Sequence, residues 1–191
     1  MARRAAPLPP EERRAAIIAA TIPLLRLHGP SVTTSQIALA AGLAEGTLFR
    51  VFPDKESLIT AAVQSACDPE PTERALAGIE RTLGMREQLI AAVEILERRI
   101  QEIWNLLTVL GMVTPPKPPP RTLDATLTGI LARLFEPFRA ELRCEPIQAA
   151  RILRALSFAG SHPRLVEGPP LTAAEIVSVL LDGIRKHEED D

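Results

Sequence analysis

The chain has 191 residues, enough for one large or two small domains, and with 46% hydrophobic residues it can bury a proper core. Its net charge of −2 is wrong for a protein that is basic throughout, and Cys67 and Cys144 are too few for a disulfide scaffold or a cysteine-based metal site. Tyr is absent, apolar content rests on Ala, Leu, Ile and Val, and no alternating β-branched run of useful length occurs, so the fold class is all-α.

Residues 1–9 read as a disordered arm, with Arg3 and Arg4 as a candidate basic extension. A first helix is expected from about Pro10 to His28. Pro10 suits the first turn, Glu11 and Glu12 suit the positive end of the helix dipole, and Gly29-Pro30 ends it. Ile18, Ile22 and Leu25 form the expected core stripe, and Pro23 predicts a bend.

Residues 33–56 are the most informative segment. Thr33 and Gln36 make a T-x-x-Q capping box, with Val32 and Ile37 placed as a hydrophobic staple, so a helix starts at Thr34. It stops at Gly42, which tolerates the left-handed conformation. A second helix begins near Ala44 or Glu45 and ends at Phe52, because Pro53 cannot continue it. Ile37, Ala41, Leu43, Leu48, Val51 and Phe52 supply the buried side, and Ala38 is small enough for a close crossing. Glu45, Gly46, Thr47, Phe49 and Arg50 are left outside, where a recognition helix meets base edges. Asp54 caps the next helix, and Lys55 falls in its first turn, where the dipole disfavours a cation. That placement makes sense if ammonium and helix terminus both face a phosphate. The pattern points to DNA binding. A small helical hairpin in an all-α core is the plainer alternative.

Charge agrees when it is divided. Residues 1–64 hold seven Lys and Arg against five acids, so the excess of acid lies in the remainder.

Asp54 to Ala66 is expected as a connecting helix, broken by Asp68-Pro69-Glu70-Pro71; residues 72–84 fit a short helix or an ordered loop. Met85 to about Val113 is helical in pattern, amphipathic first and then apolar nearly all round. Five prolines within 114–120 predict an extended connector. Arg121 to Arg143 reads as one long helix kinked at Pro137, followed by helices over Pro146–Ser161 and Thr172–Lys186. In the middle helices Trp104, Leu107, Met112, Phe135 and Phe138 are candidate walls of an apolar ligand pocket. Asn105 and Thr108 would be its polar groups. An apolar helix with a Trp serves equally well as plain core. His28, His162 and His187 stand alone, no nucleophile–base or carboxylate–His cluster is evident, and neither enzyme activity, metal nor cofactor is expected. No signal peptide or membrane span is evident, and the cysteine usage suits a reduced cytoplasm.

From about Arg14 to Ala62 the sequence resembles the N-terminal domain of the TetR/AcrR family of transcriptional regulators. The resemblance rests on Ile17, Ala20, Leu24, Gly29, Thr33, Thr34, Ile37, Ala38, Ala41, Gly42, Gly46, Thr47, Leu48, Phe52, Lys55, Glu56 and Leu58. It implies a homodimer whose subunits carry a three-helix helix-turn-helix domain (10–53) and a helical ligand-binding and dimerisation domain (54–191, with 54–66 connecting). It also implies a break near Ile103. Thr47, Phe49 and Arg50 would approach bases and adjoining backbone, and Thr34 and Lys55 would hold phosphates. Ile152, Leu156, Val177, Leu180 and Ile184 would belong to a four-helix dimer interface. The expected protein is a cytoplasmic repressor, released from a pseudo-palindromic double-stranded operator by a small apolar effector. The alternative is a helical protein-interaction module without sequence-specific DNA binding. The family pattern has Ser near Ala44, Tyr at Phe49 and often His or Tyr at Val51, so this chain has fewer polar groups for DNA.

Overall fold

The computed structural model describes residues 9–112, 123–162, 165–166 and 168–185. The expected arm at 1–9, except Pro9, and the whole of the proline-rich connector at 114–120 lie outside them. Nine α-helices are described: α1 (Pro10–His28), α2 (Thr34–Ala40), α3 (Glu45–Val51), α4 (Lys55–Ala66), α5 (Glu70–Ala77), α6 (Met85–Val109), α7 (Leu123–Phe135), α8 (Pro146–Ser161) and α9 (Ala173–Ile184). Extended pairing among the described residues is limited to one antiparallel bridge between Leu142 and Arg185.

The chain divides into two compact units. One comprises residues 1–68 and 103–119, the other residues 69–102 and 120–191. In the first, α1 packs on α2, α3 and α4. Its core holds Ile17, Leu25, Val32, Ile37, Leu48, Phe52 and Leu58, together with Leu106 and Leu107 from the end of α6. The buried stripe of α1 is Ile17, Thr21 and Leu25, one position earlier than expected in its first two members. Ile18 and Ile22 flank it, half-buried. Thr21 is tolerated there because its hydroxyl donates to the Ile17 carbonyl at 2.7 Å. The helix remains continuous through Pro23.

In the second unit α7 packs on α5 and α8, and α8 on α9. Its core includes Leu89, Val93, Leu131, Phe135, Leu153, Val177 and Leu180. Gly160 sets the approach of α8 and α9, since a Cβ there would lie 2.9 Å from Ile176 Cδ1. The buried polar groups include Gln88, whose amide Nε2 donates to the Leu83 carbonyl at 2.7 Å, and Ser161, whose hydroxyl donates to the Glu97 carboxylate at 3.2 Å.

Three expectations change. The prolines at 69 and 71 start α5 instead of merely breaking the chain, because a proline needs no amide partner in a first turn. The helix expected over 121–143 ends at Phe135, and residues Glu136–Glu141 continue as a 3-10 helix. Pro137 has no N–H for the Arg133 carbonyl, which instead accepts from the Arg81 guanidinium at 2.8 Å. Finally, α6 runs unbroken through Ile103, since residues 85–109 contain neither Gly nor Pro.

Candidate nucleic-acid interface

The interface is built by two turns whose shape follows from a few residues. Thr33 caps α2: its hydroxyl accepts from the Gln36 N–H at 3.2 Å, and the Gln36 side chain accepts from the Thr33 N–H at 2.8 Å. The helix closes on Gly42, with φ of +67°. The Gly42 N–H donates to Leu39 O at 3.1 Å and the Leu43 N–H to Ala38 O at 2.9 Å, which is a Schellman motif. That closure turns the chain so that α3 starts at Glu45, three residues after Gly42. Val32 and Ile37 are both fully buried, as a staple requires.

Ala44 occupies the α3 cap with extended backbone and makes no side-chain cap bond. Leu48 and Phe52 anchor α3 from below, both buried. Arg14 of α1 lies 4.3 Å from the Phe52 ring centroid, a cation–π contact that ties α3 to α1. The opposite face is open. Glu45, Gly46, Phe49 and Arg50 are exposed and Thr47 is half-buried. Phe49 is 46% exposed, high for a phenylalanine that packing alone would place. The structure therefore gathers the candidate base-facing residues Thr47, Phe49 and Arg50 on one short helix.

Asp54 caps α4 as expected, accepting from the Ser57 N–H at 2.7 Å. That bond, followed by the one from the Ser57 hydroxyl, holds the Asp54 carboxyl below its ordinary value. Lys55 has a partner within the chain. Its Nζ donates to the Pro30 carbonyl at 2.7 Å, so the residue fastens the start of α4 to the turn after α1. This local task accounts for a cation in that first turn without a phosphate. Thr34 also acquires a partner, since its hydroxyl donates to the Glu45 carboxylate. A hydroxyl has one hydrogen, so a phosphate contact from Thr34 would have to use its backbone N–H. The Thr34–Glu45 pair has no signal in the sequence. The two helix starts placed both residues in first turns, but how two helices of one motif lean together is not a property of either.

The candidate pocket residues fall into two groups. Trp104 and Met112 pack, half-buried, against the core of the first unit, and Leu107 lies within it. Phe135 is in the core of the second unit, and Phe138 packs against that core. Asn105 and Thr108 are exposed, so they do not point polar groups into an apolar interior as expected. The cause is the helical period: with Leu106 and Leu107 turned inward, their neighbours turn out. Of the candidate interface residues, Val177, Leu180 and Ile184 are already buried in their own subunit, whereas Ile152 and Leu156 are half-buried on α8. Among the described residues no group of three or more His, Cys, Asp and Glu could hold a metal ion, and no helix is long and apolar enough to cross a membrane.

The sequence profile of bacterial regulatory proteins of the tetR family matches residues 17–62, which runs from the core of α1 into α4. Comparison with curated proteins finds no match. Several solved structures share the fold over nearly the whole chain. A TetR/AcrR-family transcriptional regulator from Thermobifida fusca is 23% identical with a TM-score of 0.61, the match covering 92% of this chain and 100% of that one. The superantigen PfiT is 20% identical with a TM-score of 0.56, covering 95% and 100%. NalD of Pseudomonas aeruginosa, the secondary repressor of the MexAB-OprM multidrug efflux pump, is 20% identical with a TM-score of 0.50, covering 93% and 98%. Identities this low speak to the fold alone.

Proposed function

We propose that this chain, whose residues 17–62 match the profile of bacterial regulatory proteins of the tetR family, is a DNA-binding transcriptional regulator, and more narrowly a ligand-responsive repressor acting as a homodimer on a pseudo-palindromic operator. The observation that carries this reading is the solvent-facing edge of α3, where Phe49 and Arg50 are exposed and Thr47 is half-buried beside them over a packed underside. A recognition helix needs a rigid back and an uncommitted front. Arg50 supplies the cation, and Phe49 an apolar edge suited to a thymine methyl group. Lys55 and the first turn of α4 meet the flanking phosphates, the ammonium keeping two donors beyond its bond to Pro30.

The effector is small and largely apolar and binds in the second unit beside Phe135 and Phe138. It acts by population shift, binding better to a state in which the dimer no longer fits DNA. Repression is the direction that NalD, with the same fold, takes at its own target.

A gel-shift titration on duplexes from the gene's own promoter region tests the first half of the reading. Sequence-selective binding that weakens with salt and is lost in Arg50→Ala is the expected result. Failure of every such duplex to compete better than random DNA removes the operator reading. It would leave a helical interaction module as the better account. Release of the bound duplex by apolar compounds that also raise the melting temperature tests the second half.

A further inference from the structure

Glu45 stands where a DNA-binding surface ought to avoid negative charge. It is exposed in the first turn of α3, beside Gly46 and four residues before Phe49. Residues i and i+4 share a helix face, so Glu45 lies on the side that carries Phe49. A carboxylate there repels any phosphate it approaches, and an unpinned one would swing into solvent. This one is pinned, because the Thr34 hydroxyl of α2 donates to its Oε1. Thr34 itself is fixed by the capping box of the preceding residue.

We propose that Glu45 is a specificity-determining residue of the DNA site, its carboxylate accepting a hydrogen bond from the N4 amino group of a cytosine in each half-site, with Thr34 as the residue that positions it. The inference rests on the reading that α3 enters the major groove. An ionised carboxylate accepts only, and Thr34 occupies one oxygen, leaving the other for the DNA. On the major-groove edges the donors are the amino groups of cytosine and adenine. Guanine presents N7 and O6 and thymine presents O4, all acceptors, and each would face the carboxylate with like charge. Adenine presents an acceptor N7 beside its donor, which a bidentate amide matches and a carboxylate does not. Cytosine presents the donor without that neighbour. Thr34 removes the freedom of the Glu45 side chain before DNA arrives, so the ordering cost is met in the free protein. Glu45 therefore rejects wrong bases as well as accepting the right one.

The test is selection of duplexes from a randomised library by the full-length protein and by Glu45→Gln, Glu45→Ala and Thr34→Val, each checked by circular dichroism and melting. The wild type is expected to enrich a two-fold motif with one cytosine-dominated column per half-site. Glu45→Gln should move that column to adenine and leave the others unchanged. Glu45→Ala should flatten it, with a loss of roughly ten-fold or more in discrimination and a gain in affinity for random duplexes. Thr34→Val should keep the cytosine but weaken its dominance. A wild-type motif whose columns are all unchanged in folded Glu45→Gln and Glu45→Ala overturns the inference, leaving Glu45 as a bracket between α2 and α3. A wild type that enriches no motif overturns instead the reading of α3 on which it stands.

Discussion

The Lys55 ammonium has three hydrogens, and one is directed at the Pro30 carbonyl. A structural clamp and a phosphate contact are therefore compatible, and they separate by measurement. Lys55→Ala should lower the stability of the first unit by about 0.5–1.5 kcal/mol, the ordinary worth of one such bond, and less to the extent that water replaces it. If Lys55 also meets a phosphate, affinity falls about equally for every duplex and the salt slope drops by about one. Lost stability with an unchanged slope would leave the clamp alone. Glu97 offers a second test of single-residue chemistry, through pH. Burial is the chief reason its carboxyl lies above the ordinary value of 4.5, against a smaller opposing pull from the Ser161 hydroxyl. A raised folded value means the native state holds the proton more tightly than the unfolded chain. The stabilising contribution is complete below about 4.5 and disappears as pH rises through the raised value. Glu97→Gln keeps an acceptor for Ser161 and removes the titration. It should be more stable than the wild type at neutral pH, with the difference shrinking towards pH 4.5 in denaturant titrations. Equal gains at both pH values would show that ionisation is not the cause.

At the scale of elements, the start of α3 is the weak joint of the motif. Ala44 has the extended backbone of a cap residue but no side-chain oxygen, whereas Thr33, Asp54 and Thr172 all close capping boxes. Ala44→Ser should stabilise the protein by about 0.5–1 kcal/mol in equilibrium unfolding. No gain would mean that the α3 amides already have partners. What was legible in the sequence follows the same division. Thr33, Gln36, Gly42 and Pro53 act on their own neighbours, so α2, α3 and their turn could be placed within a residue. Residues 103–109 could not be assigned in this way. An apolar stretch announces burial but not against what, and Trp104, Leu107 and Met112 pack with the core of the first unit. The end of α7 was half legible: Pro137 marked a disturbance, but the Arg81 guanidinium that takes up the Arg133 carbonyl comes from 52 residues away. Local chemistry is written locally; a partner supplied by tertiary packing is not.

For the whole molecule, function as a repressor requires two copies, because one short α3 contacts only one half-site. The apolar residues of α8 and α9 were numerous enough to suggest an interface, but their periodicity could not divide them between a subunit's own core and its partner. Some of them are already spent on the chain's own core. Val177, Leu180 and Ile184 are consumed inside the subunit, while Ile147 on α8 is 49% exposed and Val179 on α9 is 62% exposed, with Ile152 and Leu156 half-buried. If α8 and α9 form the dimer, charge at the exposed positions should separate the subunits without unfolding them. Ile147→Glu combined with Val179→Glu should give a monomer by sedimentation at micromolar concentration, with an unchanged helical spectrum. Operator affinity should fall by about a hundred-fold or more, since the second half-site is no longer tethered to the first. Val177→Glu is the contrasting change. A buried, unpaired carboxylate costs several kcal/mol, so that variant should lose its fold along with its partner. A doubly charged variant that still sediments as a dimer would move the interface away from these two faces. A monomer that retains full operator affinity would break the link between dimerisation and recognition on which the repressor reading depends.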